Sequence, residues 1–353
     1  MSLGSNQSKS VGRGAARNVD NPFEAVHFRP DPELTGDGRL STVVLHDETK
    51  SIVSENKSPD IPFRYSVNPY RGCEHGCSYC YARPTHQYLG FSAGLDFETK
   101  ILVKKDSPEL LRSWLRRRGY RPEPVMLSGV TDPYQPQEAK LRVTESILDV
   151  FWEHRHPVSI ITKNALVLRD LDKLTRMADA NLVHVAISMT TLNAKLARKL
   201  EPRTSTPAAR LRAIRELSQA GVPVRIMTAP VIPGLNDHEV PDLLKAAASA
   251  GAKNAGYVML RLSDTVKDVF LDWLHTTVPD RAEKVIAAIR SVRQGGLNDT
   301  KFRDRMRGRG ERADQIAALF KVTASKLGLQ SDSQPLDCTQ FRVPGSPKQL
   351  DLF

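Results

Sequence analysis

Short apolar runs alternate with longer amphipathic stretches along most of this chain, beginning near residue 63. The short runs are rich in β-branched residues, as strands are, whereas the longer stretches repeat their apolar residues with helical spacing. The pattern predicts six strands, which are Phe63–Asn68, Val125–Ser128, Val158–Thr162, Val183–Ser188, Val222–Thr228 and Gly256–Leu260.

The longer stretches predict helices, two of which begin with a proline after a serine or threonine, as helix starts often do. The predicted helices are Ser107–Arg117, Glu138–His154, Arg169–Ala180, Pro207–Ala220, Val240–Ala250, Val266–His275, Arg281–Arg290 and Gln315–Leu327. Strands that alternate with helices imply an α/β fold with a parallel sheet covered by helices. Six such units in sequence favour a partial (βα)6 barrel of the TIM type over a compact doubly wound sheet.

The distribution of polar residues divides the chain into four regions. Residues 1–60 are polar and weakly periodic, which predicts a flexible N-terminal arm with a short strand near Thr42–Leu45. Residues 61–290 hold the predicted barrel, and residues 291–343 a basic helical extension. Residues 344–353 are predicted to be a linker followed by a short apolar tail.

Composition narrows the class of protein. No apolar stretch approaches the length of a membrane helix, and the polar N-terminus lacks the apolar core of a signal peptide. We therefore expect a cytoplasmic protein without membrane contact. The formal net charge of +11 favours a polyanionic partner, although net charge bears on nonspecific binding more than on mechanism.

Three of the four cysteines lie within eight residues, as Cys73, Cys77 and Cys80. Close spacing lets one short loop bind three irons of a cubane cluster, and three ligands leave the fourth iron open for another molecule. A structural zinc ion normally takes four protein ligands. The alternative interpretation is a zinc site completed by His75 or Cys338.

The C-x3-C-x-aromatic-C spacing, directly after the first strand of an alternating βα chain, resembles the radical SAM superfamily. The resemblance spans about residues 61–290 and implies a [4Fe-4S] cluster on Cys73, Cys77 and Cys80. It further implies that the open iron binds S-adenosylmethionine (SAM), which is cleaved to methionine and a 5′-deoxyadenosyl radical. A reductant such as flavodoxin or ferredoxin would supply the electron.

Within the superfamily, the loop is most similar to that of proteins related to spore photoproduct lyase, which also have tyrosines on both sides of the third cysteine. The resemblance implies catalytic roles for Tyr79 and Tyr81, and cofactor contact for Tyr79. In the lyase a cysteine–tyrosine relay is thought to return a hydrogen atom to the repaired thymine. This chain has no cysteine between Cys80 and Cys338, and Ser128 lies in about the region of the lyase's thiol.

In a partial barrel, cofactors bind at the carboxyl ends of the strands. The family pattern implies that Thr131 and Asp132, after the second predicted strand, bind the SAM amino group. A turn that caps the next helix is the alternative. Lys163, after the third strand, matches a lysine thought to pair with the SAM carboxylate. The alternative for Lys163 is an ordinary solvated lysine.

Two further strand ends are candidates for cofactor binding. Ser188, after the fourth strand, is positioned to reach the ribose hydroxyls, or else to form a turn. After the fifth strand, the segment 230–237 resembles the family's adenine-binding segment. There we expect Ile232 to pack on the adenine and Gly234 to permit close approach. Arg198, Arg203 and Arg210 could contact an anionic substrate or lie as solvated charges.

Two arginine-rich segments suggest contact with nucleic acid. One is Lys301–Gly310, in which Phe302 is available to stack on a base, and the other is the group of arginines within residues 116–121. Each could equally be an ordinary solvated face. With the overall charge they favour nucleic acid, and DNA in particular, as a partner.

The chain ends in a pentapeptide resembling the motif by which bacterial repair proteins bind the DNA polymerase sliding clamp. Its residues are Gln349, Leu350, Asp351, Leu352 and Phe353. The proline- and glycine-containing linker before it would keep the apolar anchors accessible. The alternatives are a chance match of five residues and a tail that packs on the chain's own barrel.

Taken together, these features predict a radical SAM enzyme acting in DNA repair. The alternatives are a radical enzyme that modifies RNA or protein, and a non-catalytic iron–sulfur protein.

Overall fold

The computed structural model describes residues 12–24 and 40–345. The predicted clamp-binding pentapeptide lies outside these residues and stays a prediction. The strands are β1 (Val43–His46), β2 (Val53–Glu55), β3 (Tyr65–Val67), β4 (Tyr70–Arg71), β5 (Lys100–Val103), β6 (Val125–Leu127), β7 (Val158–Thr162), β8 (Val183–Ser188), β9 (Val224–Val231) and β10 (Asn254–Met259).

The α-helices are α1 (Asp96–Thr99), α2 (Ser107–Leu115), α3 (Glu138–Leu141), α4 (Val143–Glu153), α5 (Leu171–Asp179), α6 (Ala194–Leu200), α7 (Pro207–Gln219), α8 (Val240–Ser249), α9 (Asp264–Thr277), α10 (Ala282–Ser291), α11 (Asp304–Arg307) and α12 (Glu311–Lys326). Short 3₁₀ helices cover Arg83–Leu89, Ala165–Asp170, Asp237–Glu239 and Pro279–Arg281. None of the described helices is both long and apolar enough to cross a membrane.

The main sheet has seven strands in the order β10-β9-β8-β7-β6-β3-β2. Six of them, β3 and β6 to β10, are parallel and follow one another in chain order, while β2 pairs antiparallel with β3 at the edge. Parallel neighbours require a crossover between successive strands, and every crossover here contains at least one helix. The predicted partial (βα)6 barrel is confirmed. All six predicted strands are present, β7 and β8 with the predicted ends and the other four with shifted ends.

The N-terminal region differs from the predicted flexible arm wherever it is described. Residues 43–46 form β1, close to the expected strand. This strand pairs with β5, a strand that the sequence pattern did not predict. The backbone amides of Gly14 and Ala15 donate to the buried carboxylate of Glu98 at 2.9 and 2.8 Å. A buried carboxylate requires hydrogen-bond donors, and Gly14 and Ala15 supply two of them to Glu98. These contacts hold the segment around Gly14 against the core.

The predicted helix Glu138–His154 is interrupted at Arg142, which has a left-handed backbone with φ 51°. The interruption lets the buried carboxylate of Glu138 accept a hydrogen bond from the amide of Thr144 at 3.1 Å. The same carboxylate pairs with Arg169 at 2.7 Å and also bonds the hydroxyl of Tyr70. The carboxylate of Glu138 is therefore fully occupied by protein partners.

The C-terminal extension is helical only in part. Its long helix, α12, is longer than predicted, and residues 327–345, the last that the structure describes, run without a helix along the amino ends of the strands. There the amide of Asp337 donates to the carbonyl of Asn181, just before β8, and the amide of Arg342 donates to the carbonyl of His154, just before β7. This path places Cys338 at the amino end of the barrel.

Candidate active site at the carboxyl ends of the strands

The cysteine loop follows β4 and is folded into two consecutive turns. The amide of Gly76 donates to the carbonyl of Cys73 at 3.4 Å, and the amide of Cys80 donates to the carbonyl of Cys77 at 3.2 Å. The amide of Cys73 is bonded to the carbonyl of Phe97 at 2.9 Å, which ties the start of the loop to α1. Gly76 has φ 64°, a conformation that glycine adopts without strain.

A buried ion pair supports the loop from behind. The Arg83 guanidinium donates two hydrogen bonds to the carbonyl of Cys77, at 3.1 and 2.8 Å, and pairs with Glu98 at 2.5 Å. Glu98 in turn accepts the amide of Gly14, so the N-terminal segment closes over the same loop. A Cβ at Gly14 would lie 1.6 Å from the carbonyl oxygen of Gly76, so only glycine permits this approach.

The three thiols of the loop are free, and their charges act on one another. Burial raises the pKa of Cys73 well above its usual range, and the neighbouring Cys80 and Cys77 raise it further. Burial likewise raises the pKa of Cys77 and of Cys80. Without a metal these thiols stay protonated. A metal cluster would stabilise their thiolate forms through its positive charge, so a group of buried thiols of this kind is suited to binding one. The loop therefore fits an iron–sulfur cluster.

The alternative zinc site lacks its fourth ligand. His75 is directed away from the thiols, with Nδ1 3.4 Å from the carboxylate of Asp132 and Nε2 3.3 Å from the side-chain amide of Asn164. Cys338 lies at the opposite end of the strands. Within residues 12–24 and 40–345, no three His, Cys, Asp or Glu side chains form a group suited to a single metal ion.

Tyr79 enters a buried network centred on Glu201. The carboxylate of Glu201 accepts hydrogen bonds from the hydroxyls of Tyr79 and Thr190 and pairs with Arg210, with Lys163 Nζ 3.3 Å away. Burial alone would raise the pKa of Glu201, but the charges of Arg210 and Lys163 hold it below its ordinary value. Burial and the neighbouring negative charges raise the pKa of Tyr79, so its phenol stays protonated.

Three predicted cofactor residues are brought together at the ends of adjacent strands. The ammonium of Lys163, after β7, donates to the hydroxyl of Ser188 at 2.7 Å and to the carbonyl of Ala229 at 3.0 Å. The carboxylate of Asp132 accepts the hydroxyl of Thr162 and the amide of Lys163, both at 2.7 Å. Lys163 thus lies at the strand mouths with 17% of its side chain exposed, and is not a solvated surface lysine.

Other predicted cofactor residues have packing roles in this structure. The hydroxyl of Thr131 donates to the carbonyl of Tyr70 at 2.8 Å and is buried. Ile232 is fully buried in the apolar cluster that also contains Cys77 and Tyr79. A Cβ at Gly234 would meet the side chain of Ala288 in α10 at 3.1 Å, so this glycine permits approach of a helix.

Tyr81 is 53% exposed and, among the described residues, shares no hydrogen-bond partner with the buried Tyr79. Its hydroxyl donates to the carbonyl of Gly129 at 2.6 Å, and the Arg261 guanidinium lies 5.8 Å from its ring centroid. Ser128, beside Gly129, has φ 120°, a strained conformation of the kind that accumulates at functional sites. No described thiol lies near Tyr81 outside the cysteine loop, because Cys338 is at the other end of the barrel.

Several residues of the site were missed by sequence reasoning, chiefly Glu201, Glu98 and Arg83. Each is charged yet fully buried, and its partner is remote in sequence or unmarked by any pattern. The sequence suggests Arg210 only as a possible contact for an anionic substrate or as a solvated charge. It is instead buried against Glu201 and the carbonyl of Ser188, the latter at 2.8 Å, and is unavailable for that role.

Comparison with known proteins agrees with this architecture. Residues 67–247 match the Radical SAM superfamily. An uncharacterized protein of Mycobacterium tuberculosis is 38% identical over 296 residues, which cover 81% of this chain and 85% of that protein. An uncharacterized protein of Methanocaldococcus jannaschii is 26% identical, covering 56% of this chain and 70% of its own length.

Two solved structures share the fold. A spore photoproduct lyase mutant with bound AdoMet and dinucleoside spore photoproduct superposes with a TM-score of 0.59 at 18% identity, covering 82% of this chain and 81% of that one. A spore photoproduct lyase complexed with dinucleoside spore photoproduct gives a TM-score of 0.58 at 16% identity, with the same coverage. The superfamily uses a [4Fe-4S] cluster and SAM, and the loop of free thiols described above fits such a cluster. This chain belongs to the Radical SAM superfamily.

Proposed function

We propose that this chain is a radical SAM enzyme that acts on DNA, in the repair of a damaged base. In this proposal Cys73, Cys77 and Cys80 bind the cluster, and Lys163 with Ser188 binds SAM at the strand mouths. When bound, the cluster and SAM supply a radical that abstracts a hydrogen atom. The buried Glu201 network would position Tyr79 beside them and keep its phenol protonated.

The main support for a nucleic-acid substrate is the position of the basic segment, Lys301–Gly310. Arg305 pairs with Asp60, in the turn between β2 and β3, at 2.5 Å. Arg307 donates to the carbonyl of Tyr257, in β10, at 3.2 Å. The segment therefore spans both edges of the open sheet. Arg261, which follows β10, lies between the segment and Tyr81, because its guanidinium is 3.8 Å from the sulfur of Met306 and 5.8 Å from the ring centroid of Tyr81.

Exposed side chains on this rim match what a nucleic acid requires. Tyr81 and Phe302 are 53% and 57% exposed, and stacking of a base on an aromatic ring contributes about 1–3 kcal/mol. Lys301 and Arg303 are also exposed and can neutralise phosphates. A flipped or single-stranded base between these groups would reach the side of the loop that carries Tyr81.

We do not assign this chain the thiol-terminated reaction suggested by the lyase resemblance. The position nearest the expected thiol is Ser128, whose hydroxyl donates to the carbonyl of Thr131 at 3.0 Å. The remaining cysteine, Cys338, is at the amino ends of the strands. The proposal is therefore hydrogen abstraction from a nucleotide with a different final step.

The test is anaerobic incubation of reconstituted protein with SAM and dithionite, with ultraviolet-irradiated DNA, undamaged DNA or RNA. We expect irradiated DNA to increase 5′-deoxyadenosine formation and to yield altered bases. Stimulation by RNA and not by DNA would contradict the DNA assignment and favour RNA modification. A rate unaffected by any nucleic acid would contradict both.

A charge variant tests directly whether the basic segment binds DNA. Lys301→Glu with Arg303→Glu should weaken DNA binding by roughly tenfold and flatten its salt dependence, because fewer phosphates are neutralised. The structure places the second arginine-rich group, within residues 116–121, before the amino end of β6 and so away from the cysteine loop. Arg116→Glu with Arg118→Glu therefore carries the same charge change outside the proposed site and is the matched control. Equal losses in both variants would show that only net charge matters.

A further inference from the structure

Helix α6 is an additional element at the carboxyl end of the barrel, placed between β8 and α7. Its last carbonyl, that of Leu200, accepts a hydrogen bond from the amide of Ser78 at 3.1 Å. Ser78 directly follows Cys77 in the cysteine loop. Leu200 and Cys77 belong to the same buried apolar cluster, and Leu196 packs against it. The inner face of α6 therefore lies directly on the cysteine loop.

The outer face of α6 is uniformly basic. Lys195, Arg198 and Lys199 are exposed, and none of them forms an ion pair with the described part of the chain. The acidic residue that follows, Glu201, is fully buried in the network around Tyr79. An ordinary solvated helix face carries both positive and negative side chains, whereas the exposed charges on this face of α6 are all positive.

One layer of side chains separates this basic face from the cysteine loop. Trp273, from α9, is 5% exposed and donates its indole N–H to the carbonyl of Lys199 at 2.8 Å. The same indole belongs to the apolar cluster that contains Cys77 and Leu200. A molecule seated on the outer face of α6 would thus be separated from the loop by packed side chains and one direct hydrogen bond.

We propose that this face of α6 docks the electron donor, a small protein carrier with an acidic surface. The inference rests on the proposed cluster at Cys77 and its neighbours, and not on the choice of DNA as substrate. Opposite charges steer such encounters and set their rate. One electron leaves the reduced carrier, which is oxidised, and the cluster is reduced by the same electron, with no bond made or broken.

A nucleic acid is the other polyanion that could occupy a basic face. The arrangement of the loop favours the carrier here, because the two sides of the loop face different elements. Tyr81 contacts Gly129 after β6 and Arg261 after β10, on the side of the basic segment. Ser78 contacts α6, which follows β8. Substrate and electron donor can then bind at the same time.

The test compares two reductants in anaerobic stopped-flow measurements of cluster reduction, with neither nucleic acid nor SAM present. The variant is Lys195→Glu, Arg198→Glu and Lys199→Glu combined. With photoreduced flavodoxin we expect reduction roughly tenfold slower or more than in the native protein, with a weaker dependence on salt. With dithionite, a small reductant that needs no docking surface, the rate should not change.

The matched control is Arg116→Glu, Arg118→Glu and Arg121→Glu, three exposed arginines near the amino end of β6, with the same total charge change. It should be reduced by flavodoxin at the native rate. The proposal is overturned if flavodoxin reduces the α6 variant normally, if the control slows equally, or if dithionite reduction slows as well. In a separate DNA-binding titration of the α6 variant, loss of binding together with normal flavodoxin reduction would assign the face to nucleic acid and overturn the proposal. Failure of the DNA proposal would leave this measurement unaffected.

Discussion

The two ends of the parallel strands both bury titratable groups, but they use them differently. At the carboxyl ends, Lys163, Glu201 and Arg210 form a network of full charges next to the cysteine loop. At the amino ends, His156 is buried among aromatic rings, with Nδ1 2.9 Å from the carbonyl of Pro157 and Nε2 2.7 Å from the Tyr120 hydroxyl.

We infer from this contrast that the buried groups at the carboxyl ends serve the reaction, whereas those at the amino ends serve the stability of the fold. The neutral imidazole of His156 donates one hydrogen bond and accepts the other, so its bonding is complete and faces no open site. The charges at the carboxyl ends are held in place where strands of a barrel end and where ligands bind. A buried charge network contributes little net stability, so its retention favours a functional role.

The largest expected effect distinguishes the cysteines at the two ends. Cys77→Ala should abolish cluster binding, because the loop would lose one of three thiolates that share the cluster. Cys338→Ala should retain full iron and sulfide content, since Cys338 lies at the amino ends. Iron and acid-labile sulfide per chain after anaerobic reconstitution measure both. Equal content in the two variants would refute the cluster assignment.

The next effect concerns the charge network. Glu201→Ala should lower the free energy of unfolding by about 3–5 kcal/mol, because Arg210 stays buried without its counter-charge. Glu216→Ala removes an exposed partner of Arg212 in α7, 3.5 Å away, and should cost at most about 1 kcal/mol. Urea denaturation of both variants measures the difference, and similar losses would mean that burial of the pair is unimportant.

His156, at the amino ends of the strands, should contribute to the pH dependence of the free energy of unfolding. Burial lowers the pKa of His156 to about 4 from an ordinary 6.5, so the unfolded chain binds the proton more tightly. Stability from this group is complete above pH 6.5 and is lost as the pH falls toward 4, by up to about 3 kcal/mol. Urea midpoints between pH 7 and 4.5 should fall less in His156→Gln. An unchanged pH dependence would contradict this assignment.

The smallest expected effect concerns the N-terminal segment over the cysteine loop. Gly14→Ala should displace that segment, because its Cβ would clash with the carbonyl of Gly76, and overpacking costs about 1–3 kcal/mol. Iron should then be lost faster to a chelator. Arg17→Ala breaks only a half-exposed pair with Asp272, at 3.0 Å, and should retain iron at the native rate. Identical rates would mean that the segment does not protect the loop.

Sequence periodicity located the barrel strands because each is a short apolar run between helices. It missed β5 and α6, which interrupt the simple strand–helix alternation. It also joined α3 and α4, because the left-handed residue Arg142 resembles any other helical arginine in sequence. Breaks of this kind depend on a remote partner, here the pairing of Arg169 with the buried carboxylate of Glu138.

Candidate site residues divide in the same manner. Lys163 and Ser188 lie together at the ends of β7 and β8, a proximity that can be expected because strand ends can be counted along the chain. Their role as SAM ligands stays a prediction. Thr131 and Gly234 also follow strands, yet the hydroxyl of Thr131 bonds the carbonyl of Tyr70, and Gly234 packs closely against α10. Direction within a loop depends on neighbouring elements, which no local pattern records.

The sequence by itself determined the order of strands and helices, the spacing of Cys73, Cys77 and Cys80, and the family to which they belong. These are local properties, set by periodicity and by the few residues between ligands. Only the tertiary structure decided that Glu201, Glu98 and Arg83 are buried around the loop, and that Cys338 lies at the far end. Burial and charge pairing are properties of residues distant in the chain, so they exist only once the barrel has formed.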